Sequence, residues 1–146
     1  MSQVQLLYCS SARHEMSGAE LDAILATSVS HNEVSGITGA LLYLDGCFIQ
    51  VIEGEADSIS GLYSRICADP RHYNIYLIYL RPIDQREFPR WSMSFRRTSW
   101  QAVRAHAAFT DLAHLSLDFM ALTTRPGVAS RILRQYCIEP PSLGFA

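Results

Sequence analysis

A hairpin of two apolar segments joined by Asp45-Gly46 constrains the fold of this chain more than any other feature of its sequence. Residues 37–44 and 47–53 are rich in apolar side chains, and Asp-Gly is a preferred pair for a type I′ turn between antiparallel strands. A helical pattern lies on each side of the hairpin, and a further apolar segment lies beyond each helical pattern. The sequence therefore predicts the order strand, helix, strand, strand, helix, strand.

The two helices are predicted from their end signals and their stripes of inward-facing residues. Ser17 and Glu20 have the spacing of a capping box, Gly36 marks the end of the first helix, and Asp69-Pro70 stops the second. The first stripe comprises Leu21, Ile24, Leu25, Ser28 and Asn32. The second stripe comprises Ile59, Leu62, Tyr63, Ile66 and Cys67. The first stripe ends in an amide where an apolar side chain is expected.

The remaining segments complete a fold of the α+β class. Residues 4–9 predict the first strand, and residues 91–97 predict a fifth strand. Residues 74–80 are apolar on both faces, which predicts a central strand covered from both sides. The order is that of the split βαβ, ferredoxin-like plan, in which two helices pack on one face of a mixed five-stranded sheet.

Residues 99–146 predict a helical extension of the domain formed by residues 1–98. Apolar residues recur there at helical spacing in two stretches. They are Leu112, Leu115, Phe119 and Leu122, and then Val128, Ile132, Leu133 and Tyr136. We expect these helices to cover the opposite face of the sheet, because Ile49 and Val51 point to that face and need apolar contacts.

The charged residues exclude several classes of function. All 12 basic residues are arginines, so the chain has no lysine for a Schiff base or a phosphate-binding loop. With 14 acidic residues the net charge is −2, and the positive field that nucleic-acid binding requires is lacking. No stretch approaches the roughly 18 apolar residues of a membrane span. We therefore expect a cytoplasmic protein that binds neither nucleic acid nor membrane.

The cysteines and carboxylates give no sign of a metal site or of substrate catalysis. The four cysteines have no CxxC spacing and lie in apolar or periodic stretches, which favours a role as small buried hydrophobic side chains. Glu53 and Glu55 flank Gly54 and are explained as partners of a helix N-terminus. No Ser/His/Asp signature or nucleophile elbow is present.

Three polar residues occupy positions where the pattern calls for apolar ones. Gln50 shares a strand face with apolar neighbours, Asn32 closes the inner stripe of the first helix, and Tyr8 lies on the inner face of the first strand. A buried amide without partners costs about 1–3 kcal/mol, so these groups must form hydrogen bonds. They either satisfy one another or hold a planar polar ligand between Ile24 and Ile66. The pattern alone leaves both explanations open.

Several separate segments together resemble a BLUF domain, a blue-light sensor that uses flavin. They occur in the order and approximate spacing of that family and cover residues 1 to about 97. The segments are Tyr8 with Ser10, Asn32, residues 36–39 (GITG), residues 48–54 (FIQVIEG), residues 69–72 (DPRH) and residues 88–93 (FPRWSM). The C-terminal third is only loosely similar to the helical extension of short, single-domain members.

The resemblance implies a role for each polar residue that breaks the pattern. The flavin ring would lie between Ile24 and Ile66, with Asn32 on its uracil-like edge and Gln50 between the ring and Tyr8. The other implied cofactor-binding residues are Ser28, Phe48, Arg71 and His72, of which the last two match positions near the ribityl and phosphate tail. The expected cofactor is FAD, with FMN or riboflavin as alternatives.

The resemblance also implies photochemistry in place of substrate catalysis. Tyr8 is expected to give an electron and then a proton, through Gln50, to the light-excited flavin. Gln50 is then expected to stay rearranged or tautomeric, and its new hydrogen bond to a flavin carbonyl shifts the absorption to the red. Trp91 and Met93 are the expected signalling residues. The output would pass through the fifth strand and the C-terminal helices to a downstream effector protein, and we expect a homo-oligomer.

Two other functions stay open from the sequence. One is a flavin-dependent oxidoreductase on the same fold, which would need a nicotinamide or substrate cleft for which the sequence offers no residues. The other is a chromophore-free, ferredoxin-like interaction module in which Tyr8, Asn32 and Gln50 only satisfy one another.

Overall fold

The computed structural model of this chain describes residues 2–90, 92–125 and 127–138. The sheet has the strand order β4-β1-β3-β2-β5. The strands are β1 Gln3–Ala12, β2 Thr38–Leu44, β3 Cys47–Glu55, β4 His72–Pro82 and β5 Ser94–Thr98. The helices are α1 Gly18–Ser35, α2 Ala56–Ala68, α3 Trp100–Ala105, α4 Phe119–Thr124 and α5 Val128–Cys137, with a 3₁₀ helix at Ala107–Leu112. Because β5 pairs parallel to β2 and the other pairs are antiparallel, the predicted mixed ferredoxin-like sheet is confirmed.

The local signals in the sequence form the predicted turns and caps. Asp45 and Gly46 have φ angles of 47° and 81°, as the type I′ turn between β2 and β3 requires. The Ser17 side chain accepts a hydrogen bond from the Glu20 amide, and the Glu20 carboxylate accepts one from the Ser17 amide. Gly36 ends α1 in the left-handed conformation with φ of 68°.

The sheet has an apolar core on each face. One core lies under α1 and α2 and includes Leu6, Leu21, Ile37, Ile52 and Ile59. The second core joins the other face to the C-terminal helices and includes Ile49, Val51, Phe109, Ile132 and Leu133. The predicted position of the C-terminal helices, opposite α1 and α2, is therefore confirmed.

β4 lies at an edge of the sheet, so the predicted central position of residues 74–80 is wrong. Four apolar side chains of this strand keep between 42% and 54% of their surface exposed, namely Tyr73, Tyr76, Leu77 and Leu80. The strand after α2 returns to the outer side of β1, while β3 already occupies the inner side. An apolar composition favours burial, but it does not determine which strand lies at an edge.

Two element boundaries also differ from the prediction. β5 begins at Ser94, so Met93 precedes the strand, and Trp91 lies outside the described residues. The stripe from Leu112 to Leu122 is divided between the 3₁₀ helix and α4, because the Asp118 side chain caps a new helix by accepting from the Ala121 amide. Apolar spacing alone does not locate such a break.

Two predictions about single residues are wrong. Cys9 and Cys47 are buried as predicted and Cys137 is half-buried, but Cys67 is exposed. Glu53 is fully buried and points to the face of the C-terminal helices, whereas α2 lies on the other face. It therefore cannot act on the N-terminus of α2. Within the described residues no helix has the length and apolar character to cross a bilayer.

Candidate functional site

A cleft between α1, α2 and the sheet brings together most of the residues singled out from the sequence. It is partly open to solvent, so a small molecule can enter it from outside. Its walls and floor are formed by Tyr8, Ile24, Ser28, Asn32, Leu41, Phe48, Gln50, Leu62, Ile66, Asp69, Arg71 and His72. The α1 residues form one wall, and Leu62 and Ile66 of α2 form the opposite one.

Tyr8 and Gln50 form the floor of the cleft as a direct cross-strand pair. They are opposite each other in the antiparallel register of β1 and β3, so their side chains share a face. The Tyr8 hydroxyl donates to Oε1 of Gln50 over 2.5 Å. Burial raises the pKa of Tyr8 well above its ordinary value, because a phenolate there would lose its water, and the nearby Tyr63 adds to the rise. Tyr8 is therefore a neutral hydrogen-bond donor.

The amide nitrogen of Gln50 has a much weaker partner. Nε2 of Gln50 donates to the sulfur of Met93 over 3.5 Å, and a thioether is a weak acceptor. Gln50 keeps only 5% of its surface exposed, so water does not replace that bond. The amide is thus held firmly at its oxygen and loosely at its nitrogen.

Asn32 presents an unsatisfied acceptor in the same cleft. Its Nδ2 donates to the Ser92 carbonyl over 2.8 Å, whereas its Oδ1 is buried without a hydrogen-bond partner. Such an orphan costs about 1–3 kcal/mol, so a lone buried carbonyl beside a cleft points to a missing donor. The hypothesis that the polar residues only satisfy one another accounts for Tyr8 and Gln50 but not for this oxygen.

The rim of the cleft carries a charged pair and a fully engaged histidine. The Arg71 guanidinium binds the Asp69 carboxylate through Nε at 3.0 Å and Nη2 at 2.5 Å, and it lowers the pKa of that carboxyl. Nε2 of His72 lies 2.6 Å from the Ile66 carbonyl, which can only accept, and Nδ1 lies 2.7 Å from the Ser10 hydroxyl. Both ring nitrogens of His72 are therefore occupied within the chain, and the imidazole forms a wall of the cleft.

The positions of the predicted site residues can now be compared with the cleft. It is lined by Tyr8, Ile24, Ser28, Asn32, Phe48, Gln50, Ile66, Arg71 and His72. Met93 reaches the site through its sulfur, and Trp91 lies outside the described residues. Leu41, Leu62 and Asp69 also line the cleft but were not predicted as site residues. Leu41 was detectable in principle, because the hairpin register places it opposite Gln50.

The cleft fits the planar, polar ring of a flavin. The uracil-like edge of a flavin carries an N–H flanked by carbonyl groups. The N–H can donate to the orphan Oδ1 of Asn32, and a flanking carbonyl can accept from a neighbouring amide. Ile24 and Ile66 supply apolar surface on opposite sides. Within the described residues, no group of three or more His, Cys, Asp or Glu side chains is close enough to bind a metal ion.

Comparison with known proteins agrees with this chemistry. A family model described as BLUF, sensors of blue-light using FAD, matches residues 3–94. The photoactivated adenylate cyclase subunit beta of Euglena longa is 39% identical over 90 residues, which are 61% of this chain and 10% of that protein. This chain thus spans about a tenth of the length of such curated relatives.

Solved structures show the same fold at higher coverage. The dark-state structure of BlrB, a BLUF protein, is 36% identical with a TM-score of 0.66 and covers 89% of this chain and 97% of BlrB. Klebsiella pneumoniae BlrP1 with FMN and cyclic diGMP is 26% identical with a TM-score of 0.63 and covers 86% of this chain and 35% of BlrP1.

Proposed function

Because the chain belongs to the BLUF family of blue-light sensors that use flavin, we propose that it holds its flavin non-covalently in the cleft between α1 and α2 and signals through Gln50. The BLUF domain senses light and does not itself turn over a substrate. The observation that carries the proposal is the hydrogen-bond chain from Tyr8 to Gln50 beside the orphan oxygen of Asn32.

We propose distinct tasks for Tyr8 and Gln50. When bound, the flavin supplies absorption of blue light and acceptance of an electron and a proton. The Tyr8 hydroxyl holds a transferable proton that points at Oε1 of Gln50, 2.5 Å away. Gln50 relays it, because its side chain lines the cleft. Both residues are buried, which keeps bulk water from supplying or removing that proton.

Gln50 is also the residue best able to stay in a changed hydrogen-bonding state after light absorption. Reorienting or tautomerising its amide disrupts one strong bond, to Tyr8, and one weak bond, to the Met93 sulfur. Burial prevents water from stabilising intermediate orientations, so the side chain is expected to occupy discrete arrangements. We assign the signalling contact to Met93, and we retain Trp91 as a second candidate from the sequence.

Asn32, Ser28, Ile24, Phe48 and Ile66 are proposed to hold the flavin ring, and Arg71 is proposed to contact its tail. Nη2 and Nε of Arg71 are already bound to Asp69, so Arg71 can offer the tail only its remaining donors. His72 shapes the wall beside that tail. We propose FAD as the cofactor, as in the description of the family, although the BlrP1 structure has FMN. Chromatography of the flavin released from purified protein distinguishes FAD from FMN and riboflavin.

The downstream partner is proposed to be an effector protein that contacts the C-terminal helices. The name of the Euglena longa relative, a photoactivated adenylate cyclase subunit, links a light-sensing segment to an effector in that protein. In this chain we propose residues 1–98 as the sensing domain and residues 99–146 as the output extension. The exposed Tyr76 and Leu80 of β4 favour association of two or more copies.

An absorption spectrum tests the proposed function. The purified protein should be yellow, shift its flavin absorption to the red under blue light, and recover in the dark. A protein that binds no flavin after reconstitution contradicts the proposal, and bleaching by NADH would instead indicate an oxidoreductase.

The role of Tyr8 is tested with Tyr8→Phe, which removes the transferable proton and leaves the ring in place. We expect bound flavin and no light-induced shift. Tyr43→Phe is the matched control, because Tyr43 is also buried on this face of the sheet but does not line the cleft, and it should keep the shift. A full photocycle in Tyr8→Phe contradicts the assignment.

A further inference from the structure

A buried polar cluster lies on the face of the sheet opposite the cleft. Its centre is Gln5 of β1, which has no exposed surface and is aligned with Glu53 of β3 and Arg81 of β4. Nε2 of Gln5 donates to the carboxylates of Glu53 and Glu87 over 2.7 and 2.8 Å. Oε1 of Gln5 accepts from Tyr79 at 2.6 Å and from Arg81 at 2.7 Å. A network this completely satisfied fixes the orientation of its members.

Glu53 uses this cluster to hold the start of the connection between β4 and β5. Its carboxylate accepts from the Glu87 amide over 3.0 Å and from the Phe88 amide over 2.9 Å. Glu53 is fully buried, so both hydrogen bonds lie away from water. The Phe88 side chain is buried in the core of the C-terminal helices. The backbone at residues 87–88 is therefore fixed to the sheet.

The C-terminal helix α5 is attached to the same point. Arg134 binds the Glu87 carboxylate through Nε at 3.1 Å and Nη2 at 2.8 Å, and it lowers the pKa of Glu87. Arg134 and Glu87 each keep about a third of their side-chain surface exposed. α5 thus contacts the connection through a two-point ion pair that a partner on the surface can reach.

The other end of the same connection contacts the cleft. The Ser92 carbonyl accepts from Asn32, and the Met93 sulfur accepts from Gln50. Only residues 89–91 separate Phe88 from Ser92 in the sequence. One end of this short connection is therefore bound to α5 and Glu53, and the other end is bound to both amides of the cleft.

We propose that Glu53 and Arg134 are positioning residues for the photochemical site, acting through Glu87 and Phe88 to set where Ser92 and Met93 meet Asn32 and Gln50. This inference rests on the proposed function of the cleft. It assigns α5 as the helix whose engagement by a partner alters the site. A coupling free energy between two sites is reciprocal, so a partner that moves α5 shifts the balance between the dark and the light-induced arrangements of the site, and light changes the affinity for that partner.

A matched pair of arginines on α5 provides the test. Arg134→Gln breaks the ion pair with Glu87. Arg131→Gln is the control, because it breaks a bidentate ion pair with Asp111, which is not part of the connection between β4 and β5. Both variants of the full chain are compared by hydrogen exchange of the peptide containing residues 87–94 and by the dark-recovery rate after blue light. Exchange reports positioning whether or not the site responds to light.

We expect Arg134→Gln to change both the hydrogen-exchange rate and the dark-recovery rate by roughly two- to fivefold. This is the fold-change that corresponds to the loss of one partly exposed ion pair. Arg131→Gln should leave both within error, and Arg134→Lys should give intermediate values. Equal effects of the Arg134→Gln and Arg131→Gln variants, or faster exchange with an unchanged recovery rate, overturn the inference. If the unmodified chain and every variant fail to respond to light, the proposed function fails, and faster exchange in Arg134→Gln then supports only the positioning of Ser92 and Met93 beside Asn32 and Gln50.

Glu53→Gln tests the other attachment with nearly the same side-chain volume. The new amide group cannot accept from both backbone amides, so exchange at residues 87–88 should rise by about tenfold. The flavin absorption maximum or the recovery rate should change with it. A folded Glu53→Gln protein whose exchange and photocycle both match the unmodified chain contradicts the role of Glu53.

Discussion

Asn32 shows how a single residue can indicate a ligand. At the end of an otherwise apolar helical stripe it has one satisfied amide hydrogen bond and one buried, unpaired oxygen. A structural role alone would favour an apolar side chain, because removing an unsatisfied acceptor from a protein interior is favourable. The residue therefore indicates a hydrogen-bond donor in the cleft.

Asn32→Ala should weaken flavin binding without destabilising the flavin-free protein. The lost bond to Ser92 and the removed orphan oxygen have opposite effects, so the free energy of unfolding should change by less than about 1 kcal/mol. The flavin dissociation constant should rise about tenfold, as expected for one lost ligand hydrogen bond. Fluorescence titration with flavin and urea unfolding measure the two quantities. Glu33→Ala, on the exposed neighbour, is the control.

Tyr8 should keep its proton at a pH where ordinary tyrosines lose theirs. An unperturbed tyrosine has a pKa of about 10, and burial raises the pKa of Tyr8 above that value. The native protein then binds a proton that the unfolded chain releases, so the contribution of Tyr8 to the free energy of unfolding falls as pH rises above about 10.

The measurement is the tyrosinate absorbance at alkaline pH, compared between the unmodified chain and Tyr8→Phe. The difference between them should stay flat until the protein unfolds. A difference that titrates near pH 10 in the folded state would show that Tyr8 reaches water.

At the scale of elements, the β2–β3 hairpin determines the geometry of the site. Its turn fixes the register that places Gln50 opposite Leu41, and pairing of β3 with β1 places Gln50 opposite Tyr8. The hairpin also needs Gly39, because a Cβ atom there would collide with the carbonyl oxygen of Val51. A one-residue slip would turn Gln50 to the other face of the sheet.

Two glycine substitutions should therefore have opposite effects on stability. Gly39→Ala forces β2 and β3 apart and should lower the free energy of unfolding by about 1–3 kcal/mol. Gly61→Ala lies within α2, where an added Cβ meets nothing within 4 Å, and should raise it by about 0.5–1 kcal/mol. Urea unfolding monitored by circular dichroism compares both with the unmodified chain. Similar stabilities for the two variants would contradict the close contact at Gly39.

Across the whole molecule, the C-terminal helices complete a core that the sheet alone does not bury. Leu7, Ile49 and Val51 on the sheet pack in one cluster with Phe109 and Ile132. The helices α3 to α5 can therefore carry a signal only while they also cover this face, which links output to stability.

A chain ending at Thr98 should lose its cooperative fold or associate through the uncovered face. Removing the helices exposes the outer face of the sheet, and an exposed apolar surface of that kind promotes association. Size-exclusion chromatography and thermal unfolding by circular dichroism provide the measurement. A monomeric truncated chain with cooperative unfolding would show that residues 1–98 form an independent domain.

The sequence by itself determined the features that depend on neighbouring residues. The Asp45-Gly46 turn, the capping box at Ser17 and the inward position of Asn32 on α1 follow from local geometry and helical period. The face of each strand residue follows from the twofold alternation of a strand, so the grouping of Tyr8 with Gln50 was predictable.

Only the tertiary structure decided the features that depend on which elements meet. It placed β4 at the edge, buried Glu53 on the face away from α2, and brought Arg134 of α5 to Glu87. Arg134 and Glu87 are 47 positions apart in the sequence, and the positions of β4 and Glu53 depend on the order of strands and the packing of helices. Hydrophobic periodicity contains no information about distant partners or about strand order. The physical reason is that a period specifies the direction in which a side chain points, whereas its partner is set by the packing of the whole chain.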